Sequence, residues 1–129
     1  MKPLLIANVL LQTCGMLKEY HEIKSYGIPV FTKVWPLSPF PYMTLECKEA
    51  WSCDTMTDYG FRLELMCHYY SQDSSLIHLI EVMEKVKQAL QEHDWQTAGV
   101  RAIKINKIEL STLDEGGIQH GQVKWEAWV

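Results

Sequence analysis

The side chains best equipped for chemistry are four cysteines and five histidines. Three of the cysteines, Cys47, Cys53 and Cys67, fall within TLECKEAWSCDTMTDYGFRLELMCHYY, Thr44 to Tyr70, where Cys67 stands directly before His68. A structural zinc site asks for paired ligands at short, regular spacing such as C-x-x-C, and none is present. A thiol enzyme asks for a cysteine and an imidazole within reach of each other. Residues one apart in a strand point to opposite faces, so an inward Cys67 sends His68 outward and the two cannot share a metal or a proton. Cys47 and Cys67 fall on the same inward phase and are expected to be small, free core residues, near neighbours across a hairpin. The histidines, His21, His68, His78, His93 and His120, lie in different elements without motif spacing. His78 is expected to be a solvated residue on the polar side of its helix, and His120 a turn or strand-edge residue. Glycine-rich phosphate loops, G-x-S-x-G and H-E-x-x-H are absent from the sequence. The expectation is no catalytic residue, no metal and no cofactor.

The elements that carry these residues follow from patterning. The chain has 129 residues, which suits one domain, 1–129. Its 47% hydrophobic and 22% charged residues are the balance of a soluble globular protein that needs no disulfide to fold. The opening MKPLLIANVLLQTCGMLKEY has a short apolar run and one preceding charge, Lys2, and it continues into charged LKEYHEIK, unlike a signal peptide. No stretch is long enough for a membrane helix. Synthesis in the cytoplasm with reduced thiols is expected. The net charge of −4, without a block of like charges, gives no electrostatic footprint for nucleic acid.

Lys2 to about Tyr20 has the period of a helix, with Leu5, Val9, Met16 and Tyr20 on one face and Leu10 and Leu17 widening it. Pro29, Pro36, Pro39 and Pro41 exclude helix from the next segment, where Val30 to Trp35 can form a short strand. From Tyr42 the chain alternates. Met43, Leu45, Cys47 and Trp51 point one way. After the polar SCDTMTDYG, Phe61, Leu63, Leu65, Cys67 and Tyr69 do the same, opposite Arg62, Glu64 and His68. DSSLIHLIEVMEKVKQALQEHD is an amphipathic helix, capped by Asp73 or Ser74, with Leu76, Leu79, Ile80, Met83, Val86 and Leu90 as its buried stripe. Glu81 and Lys85 are spaced to pair on its wet face. Val100, Ile103 and Ile105 give way to Ile108 and Leu110, a slip of phase near Asn106 and Lys107 that predicts a bulge. LDEGGIQHG is a turn. Val123, Trp125, Ala127 and Val129 then alternate with Lys124, Glu126 and Trp128. The fold class is α+β: an antiparallel sheet with helices packed on one face, in the order helix, strands, helix, hairpin.

PFPYMTLE, the polar loop with DTMTDYG, FRLELMCHYYSQDSS leading into the helix, and the final DEGGIQHGQVKWEAWV together resemble the tail-completion, or tail-terminator, proteins of long-tailed bacteriophages, prophages and gene transfer agents. The matching pieces are Pro41-Tyr42, Asp54-Thr55 with Gly60, Ser74-Ser75, and Asp114 to Gly121, over about Val30 to Val129. The resemblance implies a structural assembly protein. It implies a homo-oligomer, a hexameric ring that caps the tail tube protein and joins a head–tail connector protein. DNA would pass through the lumen unread, with no membrane partner, and the location would be the virion, after assembly in the bacterial cytoplasm. A head-closure or adaptor ring is the rival within that class, and a small Cys/His-dependent enzyme the rival outside it.

A ring subunit must offer surface to its neighbours. The loop between the two central strands is longer than a tight turn requires, and it is expected to project as an arm. Cys53, Asp54, Thr55, Met56, Thr57, Asp58 and Tyr59 are therefore the candidate oligomer or tube interface. Trp128 joins them, because its phase in the last strand points away from the core and aromatic residues are enriched at interfaces.

Overall fold

The structure is a computed structural model that describes residues 2–32, 40–52, 61–72, 75–112 and 117–129. Helix α1, Lys2–Glu19, leads into a single helical turn α2, His21–Lys24. Then follow β1, Val30–Phe31, β2, Tyr42–Ser52, and β3, Phe61–Ser71. Helix α3, Leu76–Glu92, a 3-10 turn at Trp95–Ala98, and the strands β4, Ala102–Thr112, and β5, Gln119–Trp128, complete the chain.

One five-stranded sheet runs in the order β1-β2-β3-β5-β4. The pairings β2–β3, β3–β5 and β5–β4 are antiparallel, as the alternation predicts. The short β1 instead pairs parallel to β2, Val30 with Met43 and Phe31 with Thr44. The last strand does not stand at the edge. It inserts between β3 and β4, so its inward residues Val123, Trp125 and Ala127 are wholly buried at the centre of the sheet.

The helices cover one face. Val9, Leu17 and Ile23 from α1 and α2, and Leu79, Val82, Met83, Val86, Ala89 and Leu90 from α3, meet Met43, Leu45, Leu63, Leu65, Cys67 and Tyr69 from the sheet. Burial of this apolar surface, at roughly 25 cal/mol per Å², is the main favourable term in the fold. At Gly121, β5 comes so close to α3 that a Cβ would stand 2.5 Å from the Met83 sulfur. Gly99, at φ 77°, caps the 3-10 turn in the left-handed region that glycine adopts without steric cost.

Four local expectations need correction. A bulge between Cys47 and Glu49 shifts the phase of β2, so Trp51 pairs with Arg62 and not with an inward residue. Helix α3 is capped by Ser75, whose hydroxyl accepts from the His78 amide, while Asp73 and Ser74 lie outside the described residues. The buried stripe of α3 is rotated from the expected one: Val82 and Ala89 are inside, whereas Leu76 is 55% and Ile80 42% exposed. Lys85 makes its close ion pair with Glu22 of α2, across two helices, and Glu81 adds only a weaker attraction of its charge. The bulge in β4 falls where the slip of phase put it, between Ile105 and Lys107.

Candidate interaction surfaces

The sheet face away from the helices is covered by no described element. Three strands place rings along it in one row, because Tyr42, Tyr70 and His120 are direct partners across β2, β3 and β5. Phe40 stacks on Tyr42 at 5.4 Å between ring centroids, Tyr42 meets Tyr70 at 5.1 Å, and Tyr70 stacks on His120 at 4.5 Å with planes 3° apart. Cross-strand aromatic pairs of this kind contribute roughly 0.2–1 kcal/mol each.

His68 extends the row into a polar chain. Its Nε2–H donates to Glu46 Oε1 at 2.9 Å, a carboxylate being acceptor-only. In a neutral His68, Nδ1 then accepts from His120 Nε2–H at 3.0 Å. Burial, and then the neighbouring His68, hold the His120 imidazole below the ordinary histidine range, with Glu109 pulling the other way. Burial and then Tyr42 push the Tyr70 phenol up. Further along this face Lys124 and Lys107 both hold Glu109, at 3.1 and 2.8 Å. Their hydrogen bonds keep that carboxyl below the usual range.

His120 is therefore neither a turn nor an edge residue: it is buried in the middle of an open face. His78 is not simply solvated either. It is half-buried, its Nε2 lies 3.0 Å from the Tyr69 hydroxyl, and its ring meets Tyr26 edge-on. The single-strand signal for the ring row was present. Tyr42, Tyr70 and His68 all fall on the polar phase of their strands, but only the cross-strand register brings them together.

Of the two thiols expected in the core, Cys67 is there and Cys47 is only partly covered. Cys67 is fully buried on the helix side, opposite in phase to His68, and burial pushes its thiol up to about 12. Such a group stays protonated and is a poor nucleophile. Cys47 is half-exposed, and burial followed by Glu46 raises its thiol too. Cys14, Cys47 and Cys67 are free, and Cys53 lies outside the described residues. Among the described residues no three His, Cys, Asp or Glu side chains converge in a way that would hold a metal, and no helix is long and apolar enough to cross a membrane.

Of the expected interface, Cys53, Asp54, Thr55, Met56, Thr57, Asp58 and Tyr59 lie outside the described residues. The roots of that segment, Ser52 and Phe61, pair at one end of the sheet, and Arg62 next to them pairs with Trp128. Trp128 thus stands at the same end as the expected arm. It is half-buried rather than fully exposed.

Two solved structures share this architecture. The structure of the bacteriophage SPP1 gp17 protein matches with a TM-score of 0.62 and 18% identity, over 95% of this chain and 91% of that one. A chain from the virion of a native gene transfer agent particle matches with a TM-score of 0.53 and 9% identity, over 91% of this chain and 83% of that one. At these identities the likeness is one of fold. No family model and no curated protein matches the sequence. The particles named in the sequence resemblance are thus met in fold by one bacteriophage protein and by one chain of a gene transfer agent virion.

Proposed function

We propose that this chain is a structural subunit of a phage-type particle, a tail-terminator-like protein of the tail and head–tail joint. The observation that carries this reading is the shared fold with the SPP1 gp17 protein along nearly the whole of both chains. In this reading the subunits form a ring, with six as the expected number. The ring caps the tail tube protein and meets a head–tail connector protein. DNA passes through the lumen, where a chain of net charge −4 would hold it only weakly. The segment Cys53 to Tyr59 and Trp128 supply contacts to a neighbouring subunit or to the tube.

A thiol or metal enzyme gains no support from the geometry. Cys67 and His68 stand on opposite faces of β3, and the Cys67 thiol is held protonated by burial. The test is assembly: purified chain added to polymerising tube protein of the same particle, followed by electron microscopy. Tubes of fixed length with extra density at one end are expected. Tubes that grow without a cap at all protein ratios would refute the reading. A cap found on isolated heads and never on tubes would favour a head-closure or adaptor ring.

A further inference from the structure

The core phase of the sheet runs out uncovered at both edges. At the β4 edge, Ile103, Ile105 and Ile108 pair with the buried Ala127, Trp125 and Val123, yet each is only half-buried. At the β2 edge, Cys47 and Ala50 pair with the buried Leu65 and Leu63, yet Cys47 is half-buried and Ala50 exposed. Among the described residues, β1 covers β2 only at Met43 and Thr44, and no strand lies beyond β4. Both edges therefore carry backbone N–H and C=O groups without a strand partner there.

Charge follows the same pattern. Glu49 of β2, Glu64 of β3, Glu126 of β5 and Lys104 of β4 are successive partners in one row on the open face. Three carboxylates thus stand abreast, and like charges directly opposite one another are destabilising. The one cation of the row is at the far edge. The outermost carboxylate, Glu49, is exposed and has Glu64 as its cross-strand partner.

Strand directions alternate from β2 through β3 and β5 to β4, so β2 of a second copy laid along β4 is antiparallel to it. At the same level, its Glu49 falls opposite Lys104, and its Ala50, Cys47 and Leu45 fall opposite Ile103, Ile105 and Ile108. Glu46 and Lys107 also share a row, but Glu46 already holds His68 and Lys107 holds Glu109, so that pair adds nothing. Beyond Ile108, β4 would run into β1 of the second copy, and the bulge between Ile105 and Lys107 lets the strand bend away there.

We infer that residues 102–108 of β4 pair antiparallel with residues 45–51 of β2 in a second copy of this chain, with Lys104 against Glu49 and the isoleucines against Leu45, Cys47 and Ala50. The contact joins opposite edges of the sheet, so it is heterologous, and repeated around a closed rotation it gives a ring. This rests on the ring reading and names the two surfaces that meet within it. Main-chain hydrogen bonds and the apolar row supply affinity, and the charge pair fixes the level at which the strands meet.

The test uses full-length variants, with light scattering for assembly, alone or on tube ends, and circular dichroism for folding. Glu49→Lys is expected to weaken assembly about tenfold, because an attraction becomes a repulsion of similar size. The same change relieves the repulsion with Glu64, so the fold itself should be no less stable. Lys104→Glu should weaken assembly likewise, and both changes in one chain should restore it. Ile105→Cys in a Cys53→Ser background gives a readout that does not depend on charge. Directly opposed strand residues have Cα atoms about 4.5–5.5 Å apart, within disulfide reach. Mild oxidation should therefore join position 105 of one chain to Cys47 of the next. The two positions lie on opposite edge strands, with β3 and β5 between them, so the bond cannot form within one chain. Assembly at wild-type strength in both single charge variants, or no recovery in the double one, would overturn the pairing while the ring reading stood. Assembled Ile105→Cys chains in which that pair stays unlinked would overturn it too. A wild-type chain that stays monomeric at every concentration, with and without tube ends, would take down the ring reading and the pairing together.

Discussion

The two faces of the one sheet are built on different principles. The helix-covered face is a continuous apolar layer in which Leu63, Leu65, Val123, Trp125 and Tyr69 are essentially without solvent contact. The open face is a mosaic held by rings, imidazoles and ion pairs, most of them half-exposed. The first face gains its stability from the area removed from water. The second can gain only a little per pair, because water competes for every polar contact and screens every charge. The difference teaches that the fold depends on one side of the sheet, which leaves the other side and the edges free to serve as surfaces for partners.

The largest expected effect therefore lies on the covered face. Leu65→Ala removes a wholly buried side chain between Cys47 and Trp125 of the neighbouring strands, and a loss of roughly 2–5 kcal/mol in urea unfolding is expected. A loss below about half a kcal/mol would mean that the two faces are not so unequal. Next comes Gly121→Ala, which forces a methyl group against Met83 and should cost about 1–3 kcal/mol. A neutral outcome would show that the Met83 side chain moves aside at little cost.

Legibility in the sequence divides along the same line. The covered face could be read from alternation, since Leu63, Leu65, Cys67 and Tyr69 are apolar at every second position and one pattern decides them all. The bulge in β4 was visible because isoleucines on both sides of Asn106 mark the change of phase. The bulge in β2 was not, because Lys48, Glu49 and Ala50 carry no phase of their own, and the register that pairs Trp51 with Arg62 could not be read. In α3 the apolar residues Leu76, Ile77, Leu79, Ile80, Val82 and Met83 occupy most of the helix circumference, so periodicity alone cannot choose the buried arc. The ring row and the parallel pairing of β1 both depend on register between strands far apart in sequence. No single-strand pattern contains that information. The expected segment 53–59 rests on loop length and composition alone, and Trp128 on the phase of its strand.

On the open face the effects should be smaller and separable. A double-mutant cycle of Tyr70→Ala and His120→Ala should give a coupling of about 0.2–1 kcal/mol, because the two rings stack at 4.5 Å within a well-defined cross-strand pair. Coupling within error of zero would show that the rings lie side by side without stabilising each other, and would widen the contrast between the faces.

The smallest expected effect is a dependence on pH carried by His120. Its folded-state affinity for a proton is lowered by burial and then by His68, while Glu109 raises it. His68 and Tyr70 face it from β3, with Glu46 of β2 held by His68, and Ser111 is its partner in β4. Above the ordinary value of 6.5 the ring is neutral in both states and contributes no slope. As the pH falls through 6.5, the unfolded chain takes up the proton first, so the folded state loses stability. The loss grows until the pH passes the lower folded value, and below that it stays constant because both states are then protonated. Urea unfolding of the wild type and of His120→Gln between pH 8 and pH 5 should therefore diverge only below 6.5, with the flatter profile in the variant. Parallel profiles would mean that His120 is as free to protonate in the fold as out of it, and that the open face near it is wetter than its burial implies.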